Sequence, residues 1–186
     1  MQITLTRHGK PDLHLDSWLA PMAMGDWLRH YDRAGVAPGA APATTLAQAQ
    51  AARLVASSTL PRSVQSAQQL VPEREVLCDP LFCEAELPCP PWASPRLPPL
   101  AWSAMFRLFW VYGFSLPTEP LPQTRWRAHQ AARLLVELAR ENGSVLLVGH
   151  GLMTVLIARE LLALGWHGPK RPVGSYWHCS VYHETG

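Results

Sequence analysis

The apolar positions of the chain follow two periods, one typical of strands and one typical of helices. Residues 2–7 alternate polar and apolar side chains, which predicts a first strand. Residues 53–58 and 75–78 predict a second and a third strand, and residues 175–182 predict a last, edge-type strand. Residues 144–149 are almost continuously apolar, as expected for a central strand buried on both faces.

Segments whose apolar residues recur at helical spacing lie between these strands. The predicted helices, in chain order, are pieces of residues 14–33 interrupted at Pro21, a stretch capped by Thr44 or Thr45 and running through Ala52, residues 61–70, residues 123–141 and residues 152–164. Asn142-Gly143 and Gly165 end the last two helices, because these residues tolerate the left-handed conformation that follows a helix. The alternation of strands and helices predicts an α/β fold with a mostly parallel central sheet.

Residues 88–122, called here the proline-rich segment, contain half of the 18 prolines in the chain. One apolar helix face within this segment is formed by Trp102, Met105, Phe106, Phe109 and Trp110. We interpret the segment as an insertion into a single domain that spans residues 1–186. Its apolar face can pack on that domain, line a wall for an apolar leaving group together with Trp92, or form a homodimer surface. Three arginines can contact an anionic leaving group: Arg107, Arg125 and Arg127.

Composition narrows the class of protein. The 186 residues are 48% hydrophobic and 16% charged, which predicts a substantial core rather than disorder. A net charge of +2 is too small to indicate a nucleic-acid or membrane-surface protein. Without a signal pattern or an apolar stretch long enough to span a membrane, we expect a cytoplasmic protein. Its four cysteines lack a C-x-x-C pair, so free thiols are favoured over a zinc site built from Cys78, Cys83 and Cys89.

Three of the predicted strands end in residues that bind anions or act as nucleophiles. The first ends at Arg7-His8, the second leads to Arg62 at the start of a helix, and the apolar strand ends at His150. Ligands bind at the carboxyl ends of the strands in such sheets, so we expect these four side chains on one rim. Each is followed by a predicted helix N-terminus, whose free N–H groups favour an anion.

This set of residues suits the transfer of a phosphoryl group. Arginine forks match phosphate oxygens, and a neutral imidazole can attack phosphorus. The arginines can neutralise the charge on the phosphoryl oxygens, so no metal or other cofactor is needed. The leaving alkoxide still requires a proton, for which Glu84 and Glu86 are the candidates. A carboxyl group beside a phosphate dianion favours its protonated form, because like charges repel.

The same residues resemble the motifs of the histidine phosphatase superfamily, which has the phosphoglycerate mutase-like fold. Thr6-Arg7-His8-Gly9 is similar to its N-terminal signature, and residues 58–67 resemble the motif that carries the second phosphate arginine. Residues 82–85 resemble the segment that bears the general acid, and residues 148–151 resemble the closing His-Gly motif. The matches occur in the family order and extend from residue 3 to about residue 164.

The resemblance implies a three-layer α/β/α sandwich and hydrolysis through a phosphohistidine. The implied catalytic residues are His8 as nucleophile, Glu84 as proton donor and His150. The implied phosphate-binding residues are Arg7, Gly9, Arg62 and His150, and the implied partner is a small-molecule phosphomonoester. Glu86 competes with Glu84 as the acid, and motif position favours Glu84.

Two departures from the family pattern bear on the activity. Lys10 occupies a position where many members have an acidic residue or glutamine, and Cys83 replaces an arginine that often precedes the acid. Together with the short chain and its proline-rich segment, Lys10 favours a phosphatase. The alternatives are a mutase-type phosphotransferase, a protein phosphohistidine phosphatase, and a catalytically idle phosphate-binding or regulatory module.

Overall fold

A six-stranded sheet with helices on both faces organises the chain. The computed structural model describes residues 1–13, 18–114 and 118–184. The sheet order is β3-β2-β4-β1-β6-β5. The first four strands in this order pair in parallel, whereas β6 and β5 are antiparallel to their neighbours. The strands are β1 (Gln2–Arg7), β2 (Leu54–Ser57), β3 (Val76–Cys78), β4 (Ser144–Gly149), β5 (Trp166–His167) and β6 (Cys179–Glu184).

Two helical layers cover this sheet, and the central strand β4 is buried by both. Val145 and Leu147 belong to a core shared with α5 and α6, whereas Leu146 and Val148 belong to a core shared with α2 and α3. The predicted three-layer α/β/α architecture is therefore confirmed. The helices are α1 (Met24–Arg33), α2 (Ala43–Ala51), α3 (Pro61–Leu70), α4 (Pro99–Val111), α5 (Leu121–Asn142) and α6 (Gly151–Ala163).

Local sequence accounts for several helix ends. Pro61 occupies the first turn of α3, where a proline has no intrahelical N–H bond to lose. Gly143 and Gly165 follow α5 and α6 with φ of 85° and 89°, a backbone conformation that favours glycine. None of the helices in the described ranges combines the length and apolarity needed to cross a membrane.

The structure corrects two local predictions. The last strand begins at Cys179 and lies between β1 and β5, so it is not at the edge of the sheet. Its predicted first part forms a turn instead: Trp177 has φ of 64°, and its N–H donates to the carbonyl of Arg7.

Neither predicted threonine caps α2, because Pro42 occupies the N-cap and the Thr45 hydroxyl donates to the Trp177 carbonyl. The helical pieces predicted over residues 14–33 are Pro21–Ala23 and α1, and residues 14–17 lie outside the described ranges.

The apolar face of the proline-rich segment packs against the rest of the chain. Trp102, Phe106 and Trp110 of α4 are fully buried, and the first two form a core with Met24 of α1. The packing interpretation is confirmed for these three side chains, whereas Trp92 is 45% exposed. The interpretation of the segment as an insertion into a single domain stays a prediction.

The packing of α4 predicts that truncating a buried side chain of this helix lowers stability much more than truncating an exposed one. We expect Trp102→Ala to lower the free energy of unfolding by about 3–5 kcal/mol, because it empties a buried site. It also removes the indole N–H that donates to the Leu19 carbonyl at 2.7 Å. Leu100 on the same helix is 63% exposed, so Leu100→Ala should change stability by less than about 0.5 kcal/mol. Denaturant titration of both variants checks this, and equal effects would contradict the packing of α4.

Candidate active site

The pairing of β1 with β4 brings the two predicted histidines together. Arg7 pairs with Gly149 in the parallel register, and the His8 N–H donates to the Gly149 carbonyl at 3.0 Å. Each histidine follows directly at the carboxyl end of its strand. The two imidazole rings lie 5.1 Å apart, and both residues are only 1% exposed.

The surroundings of His8 favour a neutral imidazole with a free Nε2. Its Nδ1 lies 2.6 Å from the carbonyl oxygen of Gly9, an acceptor that requires the proton to be on Nδ1. Burial, followed by the nearby His150, Arg62 and Arg7, lowers the pKa of His8 to about 2, against a smaller opposing effect of the Gly9 carbonyl. An imidazole with its Nε2 lone pair free is the form that can attack phosphorus.

His150 is oriented by Ser58 at the end of β2. The Ser58 hydroxyl lies 2.6 Å from Nε2 of His150 and accepts the Leu60 N–H at 3.3 Å. We assign the hydroxyl as the donor to Nε2, which places the ring proton on Nδ1. Burial and the charges of nearby arginines hold the pKa of His150 well below its ordinary value. Its buried Nδ1 has no partner among the described residues, so in this tautomer it is a hydrogen-bond donor available to a ligand.

Arg62 is held at one end of its guanidinium and free at the other. It lies in the first turn of α3 and is 1% exposed. Its Nη1 donates to the Tyr31 carbonyl at 3.0 Å, and both Nη atoms lie 3.2 Å from Oδ1 of Asp32. The Tyr31 ring covers the guanidinium at 4.4 Å. Its Nε is buried, and none of the residues that the structure describes accepts from it.

Arg7 repeats this arrangement, with a carbonyl partner and an aromatic ring at its guanidinium. Its Nη1 donates to the Gly174 carbonyl at 2.5 Å, and its guanidinium carbon lies 4.3 Å from the centre of the Tyr176 ring. Its Nε is also buried and has no acceptor within residues 1–13, 18–114 and 118–184. Three buried donors thus remain unpaired next to the neutral His8: Nε of Arg7, Nε of Arg62 and Nδ1 of His150. Unpaired buried donors are costly, and an anion that accepts from them would remove that cost.

The side chain of Glu84 contacts the N-terminus of α6, the helix that begins directly after His150. Its Oε2 accepts the Leu152 N–H, and its Oε1 accepts the Met153 N–H, both at 3.0 Å. A Cβ atom added to Gly151 would lie within 4 Å of both the Glu84 carboxyl group and the Arg7 guanidinium. The helix N-terminus therefore holds this carboxyl group near the arginine of the site.

Glu86 points to a different part of the molecule. Its side chain is exposed, and its Oε2 accepts the Glu119 N–H at 3.3 Å. Of the two candidate acids, Glu84 is the one whose carboxyl group contacts the helix that starts beside His150.

Gly9 allows a close approach that no other residue permits. A Cβ atom at this position would collide with the Trp177 indole and with Val36. Its N–H donates to the Ser66 hydroxyl at 2.9 Å, and its carbonyl faces His8. Its predicted contact with phosphate stays a prediction.

The sequence prediction missed four residues that surround the site: Tyr31, Asp32, Ser58 and Tyr176. Ser58 was recognisable, since it ends a predicted strand. The other three had no local signal, because an aromatic or acidic residue in a loop or helix is common and their proximity to Arg7 and Arg62 arises only through folding.

A separate cavity of about 450 Å³ lies beside the site rather than at it. It is lined by α2 and by the turn before β6, and it shares Tyr176 with the site. None of the unpaired buried donors of the described residues lines it. No group of three His, Cys, Asp or Glu side chains in the described ranges is arranged to hold a metal ion.

Several solved phosphatase structures are similar to this chain. An alpha-ribazole phosphatase from Shigella flexneri matches with a TM-score of 0.55 and 18% identity, over 87% of this chain and 79% of that one. A mycobacterial glucosyl-3-phosphoglycerate phosphatase matches with a TM-score of 0.54 and 20% identity, over 87% and 79%. A phosphoserine phosphatase from Entamoeba histolytica, solved with phosphoserine as a histidine-to-alanine variant, matches with a TM-score of 0.54 and 17% identity, over 87% and 80%.

These similarities concern the fold. No protein-family model and no curated protein sequence matches the chain. The chain has the phosphoglycerate mutase-like fold found in the histidine phosphatase superfamily. The resemblance seen in its motifs is thus confirmed at the level of the fold.

The two buried neutral imidazoles predict that stability decreases as the pH falls. The unfolded chain binds protons on both rings near the ordinary pKa of 6.5, whereas the folded chain does not. Below that pH, folding must therefore release protons, at a cost of up to about 1.4 kcal/mol per pH unit for each imidazole. We expect His8→Asn to lose less stability than the wild type between pH 7 and pH 5.

Denaturant titrations at both pH values, in buffer without phosphate, measure this difference. His183→Asn, which changes an exposed histidine on β6, is the matched control and should follow the wild type. An identical loss in the wild type and in His8→Asn would show that the His8 imidazole is protonated in the folded chain.

Proposed function

We propose that this chain is a phosphatase of the histidine phosphatase superfamily, which hydrolyses a phosphomonoester through a phosphohistidine on His8. One observation carries the proposal. A neutral imidazole with a free Nε2 lies among three buried donors that lack partners, on Arg7, Arg62 and His150. This arrangement complements an anion that is to be attacked by nitrogen.

In the first step, the phosphate group of the substrate accepts hydrogen bonds from these three donors. The lone pair on Nε2 of His8 forms the bond to phosphorus while the bond from phosphorus to the leaving oxygen breaks. The carboxyl group of Glu84 gives its proton to that oxygen, so that an alcohol leaves. The arginine charges stabilise the phosphoryl oxygens as their charge redistributes.

In the second step, a water molecule attacks the phosphohistidine. The Glu84 carboxylate takes a proton from this water, the bond between nitrogen and phosphorus breaks, and inorganic phosphate forms. His8 and Glu84 then regain their starting states. The sum of the two steps converts a phosphomonoester and water into an alcohol and phosphate.

The mechanism requires a phosphomonoester and acts on the phosphoryl group that all such substrates share. The similar structures are named as phosphatases of three different compounds, so the shared fold does not select one. Lys10, which stands where many members of that superfamily have an acidic residue or glutamine, is exposed. The cytoplasmic location and the homodimer stay predictions.

The nucleophile predicts a trappable intermediate. We expect His8→Ala to abolish turnover of an aryl phosphate and to remain folded. Acid lability and base stability of the trapped phosphoryl group in the wild type would identify a phosphohistidine, and peptide mass spectrometry would locate it. Arg62→Gln should lower kcat/KM by about 10²–10³ through loss of charge stabilisation, and His183→Ala should have no effect. A wild-type rate in His8→Ala would refute the mechanism, and a folded wild type without turnover or phosphorylation would indicate an idle binding module.

If Glu84 is the proton donor, its substitution should lower kcat/KM much more than substitution of the neighbouring Glu86. With phenyl phosphate, whose leaving oxygen needs a proton, Glu84→Gln should lower kcat/KM by about 10²–10⁴. Glu86→Gln should lower it far less, because that side chain faces Glu119 rather than the histidines. Steady-state rates of the two variants decide between them, and a larger loss in Glu86→Gln would reverse the assignment.

A further inference from the structure

Residues 81–86, called here the acid segment, carry Glu84 without regular structure to hold its backbone. A single 3-10 turn over Pro80–Phe82 overlaps its first two residues, and neither a helix nor a strand covers residues 84–96. A backbone segment of this kind needs other partners for its carbonyl groups. Two arginines from different helices provide them.

Arg127 of α5 binds the acid segment before Glu84. Its Nη1 donates to the Leu81 carbonyl at 3.1 Å and to the Cys83 carbonyl at 2.7 Å. The opposite side of its guanidinium is fixed by Glu119 of the proline-rich segment, with Nε to Oε1 at 3.0 Å and Nη2 to Oε2 at 2.8 Å. Both side chains of this ion pair are less than one fifth exposed. Such a two-point contact restricts the guanidinium to one orientation.

Arg107 of α4 binds the acid segment after Glu84. Its Nη2 donates to the Ala85 carbonyl at 3.1 Å, and its Nη1 donates to the Glu86 carbonyl at 3.2 Å. Its guanidinium carbon lies 5.2 Å from the centre of the Trp110 ring on the same helix. Trp110 is buried, and its indole N–H donates to the Glu119 carbonyl at 2.8 Å. Arg127 thus contacts the Glu119 side chain directly, whereas Arg107 is connected to Glu119 through Trp110.

We propose that Arg107 and Arg127 are positioning residues for proton transfer. By binding carbonyl groups on both sides of Glu84, they hold its carboxyl group against the N-terminus of α6, where it can reach the leaving oxygen. The proline-rich segment, which supplies Arg107 and Glu119, thereby becomes part of the catalytic apparatus instead of only a cover. This inference rests on the proposed function, since it assigns a purpose to the placement of the proposed acid.

A purely structural role for the arginines has a different kinetic signature. Loss of general stability or of substrate binding would affect all substrates alike. Loss of proton donation affects only those whose leaving group needs a proton. Phenyl phosphate and 2,4-dinitrophenyl phosphate separate these cases, because dinitrophenolate is stable enough to leave without a proton.

The main test measures kcat/KM of Arg107→Gln with both substrates. A displacement of the acid by about 1 Å can cost about 10²-fold, so we expect a loss of about 10- to 10²-fold with phenyl phosphate. The loss with 2,4-dinitrophenyl phosphate should be less than about threefold, because that reaction does not use the acid. Arg107→Lys, which keeps one carbonyl contact, should recover part of the rate with phenyl phosphate. Arg133→Gln, which changes an exposed arginine of α5, should match the wild type with both substrates.

A double variant tests whether Arg107 acts through Glu84. In the Glu84→Gln background, Arg107→Gln should cause no further loss with phenyl phosphate, because residues that act as a unit are not additive. If Arg107→Gln does not fold, Arg127→Lys should show the same selectivity between substrates, since a lysine keeps the charge beside Glu119 but cannot bind both carbonyls as the guanidinium does.

Equal losses with both substrates, or additive losses in the double variant, would overturn the inference and leave the proposed function intact. A folded wild type that hydrolyses neither substrate would overturn the proposed function itself, and the inference with it.

Discussion

The site depends on the parallel pairing of β1 with β4. Because Arg7 pairs with Gly149, the residues that follow the two strands emerge at the same height, and the two imidazoles lie 5.1 Å apart. A shift of one residue would turn His8 or His150 to the opposite face of the sheet. The alternation of β1 favours this register, because Ile3 and Leu5 lie in the core with α5 and α6, and the polar Thr4 and Thr6 alternate with them. The chemistry at the rim is therefore a consequence of how the core is packed.

Around that pair, the protein excludes water and leaves selected donors unpaired. Burial keeps both imidazoles neutral and lowers the pKa of His8 to about 2. Arg7 and Arg62 each have a partner for at least one Nη atom and, among the described residues, none for Nε. The ordered partners restrict the arginines before a ligand arrives, so less freedom is lost on binding. An anion bound here would accept hydrogen bonds from the buried donors that have no partner among the described residues.

The proline-rich segment illustrates how packing and function can share residues. Its tryptophans were open to several interpretations from sequence, and burial shows that Trp102 and Trp110 pack within the protein. Arg107 was a candidate contact for an anionic leaving group, yet its guanidinium binds backbone carbonyls beside Glu84. The segment thus influences the site through the backbone of the acid segment.

Local sequence patterns were enough to predict five of the six strands, most helices and the reactive residues at strand ends, because these features depend on neighbours within a few positions. Arg7-His8 and His150 could be recognised because each lies at the end of a predicted strand. Tertiary structure decided the rest. The contact of Arg7 with Gly174 joins residues 167 positions apart, and no local pattern encodes it. The same holds for the two arginines around Glu84 and for the position of β6 inside the sheet. These features follow from which surfaces meet when the layers pack, a property of the whole chain.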